Sequence, residues 1–160
     1  GKLPVVLDVS SCTQTLQSSR KVLTLQNQQK FDALKIIDSI DYMADYVLPR
    51  VNILKKKASI VLHPVCSLKK MGLENKFYKL AKAFADEVTI PFNAGCCGMA
   101  GDRGFLFPEL TESATKLEAK EVNQNLYDGY FSSGKTCEIA MSDAVGKNYE
   151  SIVYLIKECI

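Results

Sequence analysis

The stretch "SIVLHPVC", Ser59 to Cys66, decides how the chain folds. Ser59–His63 is a short apolar run that reads as a strand, and it passes through Pro64 and Val65 straight into a cysteine. Three further runs, Val5–Val9, Glu87–Pro91 and Gly129–Ser132, read as strands as well. Strands alternating with helical segments imply an α/β fold: a small parallel sheet of about four strands with helices on both faces. In such a sheet the functional loops gather at the carboxyl ends of the strands. Here His63-Pro64-Val65-Cys66 follows the second strand, Gly95-Cys96-Cys97-Gly98 the third, and Cys137 the fourth. Three strand ends therefore deliver cysteine to one edge.

The intervening segments carry helical periodicity. From Phe31 to Leu48 the apolar set Phe31, Leu34, Ile37, Ile40, Met43, Ala44, Val47 and Leu48 makes one stripe, ended by Pro49. A second helix is expected from Leu73 to Ala85. A third begins near Pro108, where proline suits the first turn and Glu109 and Glu112 favour the positive end of the dipole. Short helices are expected from Glu138 to Val145, closed by Gly146, and from Tyr149 to Glu158.

A length of 160 residues, 47% of them hydrophobic and 24% charged, suits one soluble domain with a full core and excludes disordered and collagen-like classes. The net charge of +2 names no partner. The runs Lys55–Lys57 and Lys69–Lys70 read as solvated faces, and no aromatic interleaving suggests nucleic acid. No apolar run approaches the roughly 20 residues of a membrane span. "GKLPVVLDVS" lacks the pattern of a secretory leader, and its abrupt start on a strand predicts a piece cut from a longer chain.

Six cysteines, at 12, 66, 96, 97, 137 and 159, in a chain without a leader argue for metal or redox chemistry in a cytoplasmic setting rather than for a disulfide framework. Thiolates select zinc, copper(I) or iron–sulfur clusters. Structural zinc usually draws on C-x(2–4)-C knuckles, and no C-x-x-C occurs here. A single zinc ion can accept neighbouring cysteines through an awkward local ring, whereas a cluster of several irons suits Cys96 and Cys97 better. Gly95, Gly98 and Gly101 let the backbone turn tightly and bring amide N–H groups to the sulfurs. Arg103 can offset thiolate charge, hold a substrate carboxylate, or sit in an ordinary surface turn. His63, the only histidine, can hydrogen-bond a cluster sulfur, line a substrate cleft, or be a structural residue with satisfied partners. Cys159, on the apolar face of the last helix, reads as core. A weak internal repeat pairs "VVLDVSSCTQTL" with "GYFSSGKTCEIAM": each has a strand, a serine-rich turn, a cysteine and a helix start, so Cys12 corresponds to Cys137. No acid/base pair, nucleophile triad, phosphate loop or dinucleotide fingerprint is present, and vicinal thiol–disulfide catalysis by Cys96-Cys97 lacks a resolving C-x-x-C.

"HPVC", "GCCGMAGDRGF" and "SSGKTCE" resemble the cysteine-rich CCG domain of flavin-linked oxidoreductases. That family includes the iron–sulfur subunit of glycolate oxidase, the CCG-bearing subunit of heterodisulfide reductase, and the C-terminal part of FAD-linked D-lactate and D-2-hydroxyglutarate dehydrogenases. Residues 67–95 separate Cys66 from Cys96, and residues 98–136 separate Cys97 from Cys137, as the family pattern asks. The wording of the motifs is closest to the large FAD-linked D-2-hydroxyacid dehydrogenases.

The resemblance implies that Cys66, Cys96, Cys97 and Cys137 hold a 4Fe–4S cluster or a zinc ion, with Gly95, Gly98, Arg103 and His63 around it. It also implies FAD in a part of the parent chain not present here, and electrons passing from flavin through the cluster to an acceptor. The partners would be the flavin domain and a ferredoxin-like region of the same parent, in the cytoplasm or peripheral to the inner face of the membrane. Residues 1–30 would be the tail of a preceding CCG repeat and 31–160 the CCG domain itself, and the isolated piece would show no dehydrogenase activity. A zinc-bound or metal-free packing module of the same parent is the alternative. One departure stands out: the family's first cysteine of the terminal C-x-x-C is Gly134 here, with Val9 at the matching place before Cys12. Ser132 and Ser133 offer a weak oxygen ligand or none.

Overall fold

The computed structural model describes residues 2–160 and has an α/β architecture. Its main sheet contains β3 (Lys57–His63), β4 (Ala85–Thr89), β5 (Gly129–Ser132) and β6 (Tyr149–Ser151), all parallel, in the order β4-β3-β5-β6. A second, two-stranded parallel sheet pairs β1 (Val5–Leu7) with β2 (Ile36–Asp38). The helices that matter for the site are α1 (Ser10–Ser19), α4 (Cys66–Lys70), α5 (Glu74–Phe84), α6 (Arg103–Leu106), α7 (Pro108–Val122), α8 (Lys135–Val145) and α9 (Ile152–Cys159). Two more, α2 (Leu25–Asp32) and α3 (Ser39–Tyr42), flank β2.

The central strand shows why both faces are covered. Successive side chains of a strand point to opposite sides. Ile60 and Leu62 pack with Phe77, Leu80 and Phe84 of α5 and with Ile152, Leu155 and Ile156 of α9. Val61, between them, packs with Ala119 and Val122 of α7 and Met141 and Val145 of α8. A parallel sheet buried on two sides needs such a continuous apolar run. Phe77, Leu80 and Phe84 are fully buried, and each stabilises the fold by roughly 1.5–3 kcal/mol relative to exposure.

Several boundaries differ from expectation for identifiable reasons. The Phe31–Leu48 stripe is not one helix. The helix ends at Asp32, and Ile36 and Ile37, a β-branched pair, join β1 as its parallel neighbour. Asp38 then starts a new turn, its carboxylate accepting the Ile40 N–H at 2.9 Å. Only the later part of the stripe, Ile40, Met43, Ala44 and Leu48, reaches the main core.

The segment from Tyr149 begins as a strand rather than a helix. Tyr149 is buried, lies opposite Tyr130 in the ladder, and donates its N–H to Ser142 Oγ at 2.8 Å. Helix α9 starts only at Ile152, where the Ser151 hydroxyl accepts the Val153 N–H. The main sheet therefore has four strands, but β6 takes the place expected for Val5–Val9, whose strand β1 pairs away with β2. Strand β4 also sits two residues earlier than Glu87–Pro91, since Ala85 follows directly on α5 and lies opposite Lys57.

The repeat read from the sequence extends into three dimensions. β1 and β2 are a parallel pair connected through α1 and α2, and β5 and β6 are a parallel pair connected through α8 alone. Each second strand ends in a polar residue that caps the next helix, Asp38 or Ser151. Cys12 is the third residue of α1 and Cys137 the third of α8. Val9 and Gly134 are the corresponding residues just before each helix.

Candidate metal centre

Cys66, Cys96, Cys97 and Cys137 line one chamber of about 340 Å³. Cys66 is the first residue of α4, just past the end of β3. Cys96 and Cys97 lie in the loop after β4, and Cys137 lies in the first turn of α8 after β5. The strand-end rule thus brings the four predicted thiols together. The remaining walls come from the 99–101 loop, Val65, Gly134 to Thr136, and, from the other half of the repeat, Val9 to Ser11.

The sulfurs form two contacts. Cys97 Sγ and Cys137 Sγ are 2.9 Å apart, and Cys66 lies in hydrogen-bonding contact with Cys96. The buried Cys97–Cys137 pair is a single S–H···S hydrogen bond in which either sulfur can donate. With Cys137 as the donor, that bond lowers the Cys97 thiol to about 6, helped by the Met99 and Cys97 N–H groups and by nearby His63. Cys137 moves the other way, because losing its proton would break that bond and place two anions in a buried site. Burial, and then the neighbouring Cys96, push the Cys66 thiol up. Of the glycine amides expected at the sulfurs, Gly98 N–H reaches Cys96 Sγ at 3.5 Å and the Gly95 N–H turns to Glu118 instead, while Met99 N–H, not foreseen, reaches Cys97.

Chamber and loop are held from behind by α7. Glu118, 2% exposed, accepts from His63 Nδ1 at 2.8 Å through one carboxylate oxygen and from the Gly95 N–H at 3.4 Å through the other. One turn on, Glu121 accepts the N–H groups of Phe92 and Asn93 at 2.7 and 3.0 Å and the Asn93 amide at 2.8 Å. These two glutamates were not foreseen. Their spacing of three on an ordinary amphipathic helix marks a shared face, but nothing in the sequence says that this face turns inward. His63 itself is fully buried behind the loop and does not line the chamber.

The other predicted residues separate into those that serve the loop and those that do not. Gly98 (φ 76) and Gly101 (φ 81) take left-handed backbone, as does Ala100 (φ 45), whereas Gly95 contributes its amide to Glu118 and needs no positive φ. Arg103, first residue of α6, is exposed, lies outside the chamber lining and makes no ion pair among the described residues. Ser132 Oγ donates to the His63 carbonyl at 2.8 Å, and Ser133 faces a neighbouring crevice rather than the chamber. At Gly134, a Cβ would stand 3.2 Å from Val65 Cγ1, a tight contact to which that methyl group must yield slightly. Cys12 is exposed, and Cys159 is buried in the core as expected.

Among the described residues, no three His, Cys, Asp or Glu side chains converge on a position for a single metal ion. The chamber as a whole offers four thiols, amide donors and the N-terminal ends of α1 and α8, with no carboxylate in its lining. This donor set fits a thiolate-held group of net negative charge.

The metal-free protein should show a pH dependence that follows from the shared proton. An unfolded cysteine titrates near about 8.5. Between about 6 and 8.5 the unfolded chain binds more protons at Cys97 than the folded chain, so stability rises with pH. Above about 9 the unfolded chain also releases the Cys137 proton, which the folded chain keeps, so stability falls again. Urea midpoints at pH 5.5, 8.5 and 10 should trace this maximum, and Cys97→Ser should remove the rising limb. A flat profile in the wild type, or an unchanged slope in the variant, contradicts the shared proton.

In comparisons with known proteins, no family model matches the chain, and no curated protein matches it.

Proposed function

We propose that this chain is a thiolate-held metal domain working in electron transfer. More particularly, it is the iron–sulfur domain of an FAD-linked D-2-hydroxyacid dehydrogenase, acting between the flavin of the parent enzyme and an electron acceptor. The observation that carries this reading is the convergence of Cys66, Cys96, Cys97 and Cys137, from three strand ends, on one chamber. A 4Fe–4S cluster bound there would supply one-electron transfer without proton chemistry of its own. The chain's residues have separate tasks. The four cysteines bind. Gly98 and Met99 direct their amides at Cys96 and Cys97. Glu118 and Glu121 hold the cysteine loop on α7. Val65, Met99 and Gly134 supply apolar wall that keeps water from the buried sulfurs.

No helix among the described residues is long and apolar enough to cross a membrane. The flavin domain and ferredoxin-like region of the parent, and a cytoplasmic place of work, belong to the same proposal.

The test is anaerobic preparation with iron and sulfide, followed by iron and sulfide analysis and EPR. Wild-type protein should take up four irons per cluster and give the signal of a reduced 4Fe–4S centre. The chain with all four cysteines changed to serine should hold none. One mole of zinc per chain with no iron, and a melting temperature that falls with chelator, overturns the electron-transfer reading in favour of a structural module. Full electron transfer in a parent enzyme lacking the four cysteines overturns it outright.

A further inference from the structure

Four buried side-chain polar atoms lack a hydrogen-bond partner among the described residues: Ser10 Oγ, His63 Nε2, Ser133 Oγ and Tyr149 Oη. Only Ser10 belongs to a residue that lines the cysteine chamber. It is 1% exposed, so its hydroxyl has neither protein nor bulk water to bond. A buried hydroxyl left unpaired is unfavourable by about 1–3 kcal/mol. Such an atom persists where something outside the chain completes it.

Its position supports the same reading. Ser10 is the first residue of α1, a ten-residue helix whose preceding residue, Val9, provides no side-chain cap. The first N–H groups of α1 therefore also lack a side-chain acceptor, and Val9, Ser10 and Ser11 all border the chamber. The start of α8 also borders the chamber, with Gly134 offering no cap and Lys135 to Cys137 lining the space. Two uncapped helix N-termini, related by the internal repeat, thus line the chamber together with the four thiols. Only the α1 side adds a buried hydroxyl.

We propose that Ser10 Oγ is a hydrogen-bond donor to a sulfur of the metal-thiolate group held by Cys66, Cys96, Cys97 and Cys137. The first half of the repeat, far upstream of Cys66, then completes a site whose ligands lie between Cys66 and Cys137, only the last of them in the second half. This inference rests on the reading of the chamber as a metal-thiolate site. It also gives α1 a role although its own cysteine, Cys12, faces solvent.

The test compares Ser10→Ala with Ser133→Ala. Ser133 is a control of the same kind: a buried, unpartnered hydroxyl that lines the adjacent crevice instead of the chamber. In metal-free protein both variants should melt at or above the wild-type temperature, since each removes an unpaired buried group. In protein loaded with iron and sulfide, only Ser10→Ala should lower the midpoint potential, because a donor to sulfur favours the more negative, reduced state. It should also release iron to a chelator about ten-fold faster, the scale of one hydrogen bond to a charged acceptor. The opposite signs in the metal-free and loaded states are what a merely structural serine would not produce.

A lower melting temperature for metal-free Ser10→Ala overturns the inference, because it means the hydroxyl is already paired within the chain. So does a loaded Ser10→Ala whose potential and iron release match wild type. If wild-type protein takes up neither iron and sulfide nor Cd(II), the metal reading and this inference fall together. Iron uptake with a silent Ser10→Ala removes this inference alone.

Discussion

Gly98→Ala is expected to destabilise the protein by about 4 kcal/mol, among the largest effects a single methyl group can have. Two causes act at once. Gly98 sits at φ 76, a left-handed conformation that an alanine adopts only with strain. A Cβ there would also stand 2.4 Å from the Leu110 carbonyl oxygen, 2.8 Å from its carbon and 2.9 Å from Thr111 Cα. Those atoms are backbone of α7, which is held by its own hydrogen bonds and by the core contacts of Ala119 and Val122. The loop must therefore give way, and with it Cys96 and Cys97 on its other side. Gly101→Ala isolates the first cause: φ is 81, but nothing lies within 4 Å of the added atom, so a loss of about 1 kcal/mol is expected. Urea denaturation of the two variants, with iron uptake measured alongside, separates strain from collision. Equal and small losses in both would show that the loop does not lie against α7 as described.

The contrast between these glycines shows what a sequence can convey. The left-handed turn is a local property, and "GCCGMAG" announces it. The approach of α7 to Gly98 is a contact between segments that meet only after folding. The same division runs through the molecule. Gly129–Ser132 and the Ser59–His63 part of Lys57–His63 were legible from their short apolar cores, and the cysteines beyond them followed from the strand-end rule. Strands β2 and β6 were not, since three residues leave no periodicity and their strand state comes from pairing with Val5–Leu7 and Tyr130–Ser132. Ile36 and Ile37 were absorbed into a helical stripe that tertiary pairing overrides. The four thiols were legible as a set, whereas the serine wall supplied by α1 was visible only as one half of a weak repeat. His63 was singled out, but its partner Glu118 was indistinguishable from a solvated glutamate.

That partner gives the second large effect. Glu118→Ala should destabilise the chain by about 2–5 kcal/mol, because two buried donors lose their acceptor at about 1–3 kcal/mol each. The loss strands two donors together, His63 Nδ1–H and the Gly95 N–H, in a region where His63 is fully buried and its Nε2 already lacks a partner. A carboxylate acceptor fixes the hydrogen on Nδ1, so its removal also frees the imidazole to change tautomer beside Cys97. Glu118→Gln separates volume from hydrogen bonding. The amide keeps the size and one acceptor oxygen, but its NH2 must face one of the two donors, so about 1–2 kcal/mol should be lost. The chemical readout is alkylation of metal-free protein at pH 7 by a small iodoacetamide, with the labelled peptides counted by mass spectrometry. Cys97, buried in the wild type, should label several-fold faster in Glu118→Ala as the loop loosens, while exposed Cys12 labels at an unchanged rate. If Glu118→Ala unfolds at the wild-type urea concentration, or Cys97 stays as protected as before, then Glu118 does not hold the cysteine loop. The loop's fixed shape would then come from the other α7 contacts, those of Glu121 with Phe92 and Asn93 and that of Gly98 with Leu110 and Thr111.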